Sequence, residues 1–271
     1  ADGTYAWATK AGGSNGDDGY GITSLSDGSS IVTGDFTGSA SFGDTTLTSA
    51  GSHDVFIAKL NADGTYAWAT KAGGSNVDLG RGITSLSDGS SIVTGDFVGT
   101  ANFGDTTLTS TGHYDTFIAK LNADGTYAWA VKAGGTAEEH CKGITSLSDG
   151  SSIVTGVFSG STSFGSTTFS ADNYDGFISK FNADGSCAWA TQVGGSSDEL
   201  GLSVASLSDG SSIVTGYFYE EAIFGETTLT SAGKSDIFVA KLNNDGTYAW
   251  ATKAGGSSWE AWTRISSLSD G

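Results

Sequence analysis

The chain has no methionine and no proline, and only two cysteines and three histidines in 271 residues. Basic residues are scarce as well. Twelve Lys plus Arg face 30 Asp plus Glu, a formal net charge of −18. Such an excess repels a phosphate backbone, which excludes nucleic acid as a partner, and it suits anionic membrane surfaces no better. No run approaches the ~20 apolar residues of a bilayer span, so no membrane insertion is expected. No segment keeps a 3.6-residue apolar period, so helices are not expected. Two cysteines make no disulfide framework. There is no N-x-S/T sequon for N-glycosylation. A chain without Met does not begin at a start codon and reads as a processed chain or a piece of a longer one. What is abundant is glycine, 42 residues, beside 37% apolar content with 11% aromatic. That is enough for a packed core and too much for disorder.

One repeat dominates. Ala-Asp-Gly-Thr-Tyr-Ala-Trp opens at Ala1, Ala62 and Ala123, and recurs in altered form at Ala183 and Asn244. Ser-Leu-Ser-Asp-Gly starts at Ser24, Ser85, Ser146, Ser206 and Ser267. The chain is about 4.4 copies of one unit of about 61 residues, with no foreign segment. The first two copies are nearly identical.

Each unit reads as four strands. In the first they are Gly21 to Ser26, Ser30 to Phe36, Asp54 to Leu60 and Thr65 to Ala72. Asp27-Gly28 and Asp63-Gly64 read as two-residue hairpin turns, because glycine tolerates the positive φ of a primed turn. The stretch Thr37 to His53 has room for a small hairpin around Phe42-Gly43-Asp44, and Gly73-Gly74 closes the unit. Val55 and Ile57 point to one face of their strand, Phe56 and Ala58 to the other. A sheet apolar on both faces must be covered on both. Four-stranded sheets stacked around an axis satisfy that and limit exposed edges. Tyr66 and Trp68, two apart, are expected on one face between neighbouring sheets. The expected fold is therefore all-β, a β-propeller of four-stranded blades. A β-solenoid normally has shorter coils than this unit.

ITSLSDGSSIVTGDF, DVFIAKLNADGTYAWATKAGG and the double glycine resemble the bacterial seven-bladed β-propeller repeat family. The Gly-Ile-x-x-x-x-Asp-Gly-x-x-Ile-Val hairpin is similar to NHL-type blades. The resemblance spans essentially the whole chain. It implies four-stranded blades in large secreted or surface-exposed bacterial proteins, and it implies no catalytic residues.

On this reading residues 1–271 are a single propeller domain or part of one. The blades cover about 21–72, 82–133, 143–193 and 203–254. Residues 4–11 are an orphan outer strand and residues 265–268 an orphan inner strand. The second and third strands of a fifth blade are missing, so five, six or seven blades all stay open and a longer parent array is expected.

The copies differ most in the loop from outer to next inner strand: GGSNGDDGYG, GGSNVDLGRG, GGTAEEHCKG, GGSSDELGLS and GGSSWEAWTR. Variation gathered on one face of a constant scaffold is how a binding face looks, and also how drifting loops look. One column is acidic throughout: Asp17, Asp78, Glu139, Glu199 and Glu260. Converging carboxylates would suit Ca²⁺, the one cofactor the sequence invites. The alternative is that each carboxylate accepts backbone N–H groups and pins the turn after the glycines. Gly-Gly-x-Asn-x-Asp in the first two copies also resembles the calcium-binding nonapeptide of bacterial β-rolls, without its nine-residue recurrence. Tyr20, Trp259 and Trp262 are candidates to stack on sugar rings, or else to pack between blades.

No enzyme is expected. Gly12-Gly13-Ser14-Asn15-Gly16 matches a nucleophile elbow in letters but no helix follows. Gly233-Lys234-Ser235 lacks the phosphate-loop glycine. His53, His113 and His140 fall in three different columns, which argues against a metal cluster. Cys141 and Cys187 belong to opposite faces and lie too far apart for a disulfide. The acidic Ser/Thr/Gly-rich surface suits an extracellular or cell-surface setting. The expected role is a structural or adhesive module of a large bacterial secreted or surface protein, contacting other domains or protomers of its assembly. The alternative is a lectin, glycan-binding or calcium-dependent, using the variable face on surface glycans.

Overall fold

A computed structural model describes residues 2–261 and 263–266. All regular structure among them is strand: β1 Ala11–Gly13, β2 Asp17–Ser24, β3 Ser30–Phe36, β4 Ser39–Phe42, β5 Thr45–Thr48, β6 Asp54–Leu60 and β7 Tyr66–Gly74. The second repeat follows as β8 Asp78–Ser85, β9 Ser91–Phe97, β10 Thr100–Phe103, β11 Thr106–Thr109, β12 Asp115–Leu121 and β13 Tyr127–Gly135. In the third and fourth repeats the strands run on without a break: β14 Glu139–Ser146, β15 Ser152–Phe164, β16 Thr167–Phe181, β17 Cys187–Gly195, β18 Glu199–Ser206, β19 Ser212–Phe224, β20 Thr227–Leu242 and β21 Tyr248–Ala254.

Each repeat is an antiparallel meander. β2 pairs β3, β3 pairs β6 and β6 pairs β7, and the order recurs in the other three repeats. The sheets span 17–74, 78–135, 139–195 and 199–254. Each therefore begins about four residues before the expected boundary. The first strand enters through the supposed variable loop, and the fourth continues through the double glycine. Residues 4–10 form no strand, because no third strand lies beside them; only Ala11–Gly13 pairs, with β4. Of the expected strand 265–268, Ile265 and Ser266 are not strand and the remainder lies outside the described residues.

The Asp-Gly turns hold three residues rather than two. Leu25 N donates to Ser29 O, and Gly28 N to Leu25 O. A type I turn over Ser26 and Asp27 is thus followed by Gly28 at φ 84°, the left-handed position of a three-residue loop. Asp27 Oδ1 accepts Ser29 N at 2.9 Å and tightens it.

The hairpin expected around Gly43 is present, and its partner is the preceding repeat. β4 pairs β1, β10 pairs the end of β7, β15 the end of β13, and β19 the end of β17. Hence the double glycine. A Cβ on Gly74 would fall inside the Thr100 carbonyl, and one on Gly73 inside the Asp54 carboxyl. Only bare backbone lets the hairpin strand and the buried carboxylate approach together.

The core lies between consecutive sheets. Val55 and Ile57 of the first repeat pack with Ile83, Phe97, Phe103 and Phe117 of the second, while Phe56 and Ala58 pack on the other side with Phe36 and Phe42. Tyr66 and Trp68 part company. Leu60 opposes Tyr66 and Lys59 opposes Trp68, so Ala67 is a bulge. The extra residue turns Trp68 to the second repeat and Tyr66 to the opposite cluster. Trp68 Nε1 then donates to Ala123 O of the next repeat at 3.1 Å, as Trp129 does to Ala183 O and Trp189 to Asn244 O. Trp68→Phe keeps the packing and drops the bond. The expected cost is about 1 kcal/mol, read as a lower urea midpoint with an unchanged slope.

First strands touch first strands. Thr23 Oγ1 donates to Ser85 Oγ at 3.1 Å and Thr84 Oγ1 to Ser146 Oγ at 3.0 Å, and Thr145 pairs with Ser206 at 3.1 Å. One free face remains on the first sheet. Ile22 is 71% exposed where its counterpart Ile83 is 7% exposed.

Candidate functional site

The acidic column is not a loop feature. Asp17, Asp78, Glu139 and Glu199 open their first strands, and the last three are fully buried. Asp17 and Asp78 accept Gly13 N and Gly74 N at 2.7 Å, Glu139 accepts Gly135 N at 3.0 Å, and Glu260 accepts Gly256 N at 3.2 Å. Each sits at its own repeat boundary. The structure therefore does not bring the five together, and no group of three or more metal-ligating side chains occurs among the described residues.

A second buried carboxylate stands beside each of the last four, on the preceding repeat's third strand: Asp54, Asp115, Asp175 and Asp236. Lys71, Lys132 and Lys253 reach Asp54, Asp115 and Asp236 at 3.0, 2.7 and 2.8 Å. Burial and the neighbouring Asp54 push the Asp78 carboxyl up to about 7, against the pull of the Gly74 N–H. Burial likewise raises Glu139 to about 7. Sequence reasoning found one member of each pair and missed the other. In the sequence the Asp that recurs here in every copy carries no mark beyond its place at a strand.

Two of the three histidines meet although their columns differ, while His53 Nδ1 lies 2.7 Å from Asp35 Oδ2 in the first repeat. His113 Nδ1 lies 3.0 Å from Glu138 Oε1, and His140 Nε2 lies 3.8 Å from Glu138 Oε2. Tyr174 of the third repeat donates to Glu138 Oε2 at 2.9 Å, and this bond is the main reason the Glu138 carboxyl sits below its ordinary range. Tyr114 fills the gap, its ring 4.7 Å from His113 and 5.1 Å from His140. On the buried side, Asp96 Oδ2 is 3.3 Å from Arg81 Nε and 3.2 Å from His140 Nδ1. Residues from different columns thus converge across the boundary of repeats two and three. Arg81 reaches there because it is the bulged residue between Gly80 and Gly82. The cluster has two aromatic rings, two imidazoles, a guanidinium and carboxylates at a partly exposed rim. Such a mixture can offer both charge and stacking to a partner surface.

Tyr20 is the matching bulge residue of the first repeat, 47% exposed, with the Arg81 guanidinium 5.0 Å over its ring. Trp259 is 66% exposed and donates to Tyr219 Oη at 3.0 Å. Trp262 lies outside the described residues. Both thiols are free. Cys141 is buried on β14, which pushes its thiol up to about 12. Cys187 occupies a tyrosine position under the third-repeat core.

No family model matches the chain. It is similar to an uncharacterised WD repeat-containing protein of Acanthamoeba polyphaga mimivirus, 24% identical over an alignment of 324 positions. The alignment covers 94% of this chain and 23% of that relative's length. Together with the all-strand repeats, the likeness supports a β-propeller.

Proposed function

We propose that the chain is a non-catalytic protein-interaction module of a large secreted or cell-surface bacterial protein. Its four sheets are blades in a ring of five to seven, and the exposed Ile22 face is a seat for a further blade. Its partners are other domains or protomers of the same assembly. The observation that carries this is the gathering of the repeats' departures from one another at one rim, where Arg81, His113, Tyr114, Glu138, His140 and Tyr174 touch. The WD repeat-containing relative supports it at the level of fold and repeat type.

A photo-cross-linking residue at His113 tests the reading. In the native assembly it should join another domain or protomer. The same residue at Asp63, in a turn on the other rim, should not. Replacing His113 and Tyr174 by the serines other repeats carry there should abolish the cross-link from Tyr114 without unfolding the chain, because Arg81 and His140 stay to pair with buried Asp96. Equal labelling from both rims would overturn the proposal. The lectin reading is favoured by one observation, the exposed Trp259 indole held against Tyr219. Silence on a glycan array would remove it.

A further inference from the structure

The boundary between the third and fourth repeats breaks the charge pattern of the others. At three boundaries a lysine pairs with the Asp of the two carboxylates. Here Gln192 stands in the lysine position and bonds Asp175 Oδ2 through its amide. Asp54, Asp115 and Asp236 each also accept a backbone N–H from four residues earlier, Ala50, Thr111 or Ala232. Asp175 has no such bond among those of the described residues.

Its companion Glu199 is more isolated still. It is fully buried, and neither carboxylate oxygen has a partner among the described residues. The other four acidic residues of its column each hold a glycine N–H. Asp78, Glu139 and Glu260 also donate their own N–H to the carbonyl of His53, Tyr114 or Ser235. At the third boundary that link is replaced by Tyr174 N donating to Asp198 Oδ1 at 3.2 Å. Asp198 adds a third carboxylate. No Lys, Arg or His pairs with Asp175, Asp198 or Glu199 among the described residues. A cleft of ≈ 1160 Å³ reaches the Asp175 side of the pair, lined by Asp172, Asp175, Gln192, Gly194 and Gly195.

A buried carboxylate pair without a counter-charge is costly. The other three boundaries give the Asp an ammonium and its companion a glycine N–H. We infer that this boundary, which offers neither, meets it with a hard divalent cation held between Asp175 and Glu199. The donors are all oxygen, which selects Ca²⁺ or Mg²⁺ over zinc or copper. Two carboxylates leave most of a coordination shell to backbone carbonyls and water. Ca²⁺, with 6–8 ligands in adaptable geometry, fits that better than Mg²⁺. The cleft lets a hydrated ion arrive. The competing answer is a proton shared within the pair.

The test is calcium titration of the intact chain, by calorimetry and by thermal melting in EDTA or excess Ca²⁺. One site should appear, with a higher melting temperature when it is filled. Gln192→Lys rebuilds the arrangement of the other three boundaries, so it should fold. It should weaken Ca²⁺ binding at least about tenfold and melt in EDTA near the calcium-loaded parent. Asp44→Asn, on the exposed hairpin tip, changes the net charge equally and should leave binding intact. The inference fails if Ca²⁺ does not move the melting temperature. It also fails if Gln192→Lys and Asp44→Asn behave alike, since the ion would then be screening the general negative charge.

Discussion

Phe103→Ala should lower the stability of the chain by about 3–5 kcal/mol, the range for emptying a buried phenylalanine site. Phe103 belongs to the short hairpin strand β10, an unlikely place for so large an effect if the hairpin were an ordinary surface loop. Its ring is fully buried, 4.8 Å from Phe117, 5.9 Å from Tyr127 and 6.5 Å from Phe97. Those rings come from the second, third and fourth strands of its own repeat. Through Ala101 and Asn102 the same strand pairs with Gly74 and Gly73 of the repeat before. Removing the ring therefore empties a core and loosens the clip between two sheets. Thr107→Ala, on the exposed side of the same hairpin, should stay within about 0.5 kcal/mol. Urea unfolding followed by tryptophan fluorescence compares them. Equal midpoints for both variants would mean that the hairpin is not part of the core.

Stability should fall as pH rises from about 4.5 to 7.5, contrary to the habit of acidic proteins that lean on ionised carboxylates. Asp78 and Glu139 have folded-state values near 7, above their ordinary 3.8 and 4.5, with burial as the leading cause. The folded chain holds protons that the unfolded chain releases in this window. The contribution is full below the ordinary values and is lost as pH climbs through about 7. At 1.36 kcal/mol per pH unit the loss is roughly 3–4 kcal/mol for each group. The turn residues Asp27, Asp88 and Asp149 work the other way. The serine hydroxyls beside them hold their carboxyls low, so they matter only below the window. Asp78→Asn with Glu139→Gln should reduce the slope, since an amide oxygen still accepts the glycine N–H, and should leave the share of Asp175 and Glu199, whose carboxyls burial also raises. Urea midpoints rising from pH 4.5 to 7.5 in the parent would contradict the assignment.

Much of the fold is legible in local chemistry. Ser30–Phe36 and Asp54–Leu60 run as their β-branched and alternating apolar residues indicate, and the hairpin at Gly43 follows from its turn glycine. The two faces of the third strand are visible in Val55, Phe56, Ile57 and Ala58. The errors share a cause. A bulge is one residue long and leaves no compositional mark, so spacing puts Tyr66 and Trp68 on one face while Ala67 sends them to two. The double glycine looked like an ending. It is a place where a strand from the next repeat comes too near for any side chain.

The site was legible in half. The acidic column and the variable rim stand out once the copies are aligned. Pairing Asp54 with Asp78, or His113 and His140 with Glu138, depends on which repeat's third strand meets which first strand. Spacing along one copy carries no information about that.

Sequence alone determined the repeat, its strands, its turns and the need for apolar cover on both faces, because each depends on neighbours a few residues away. Tertiary structure decided how the sheets clip together, which carboxylates stand in pairs and which pair lacks a lysine. Those depend on side chains from successive copies meeting across a boundary, where burial makes an unmatched charge costly.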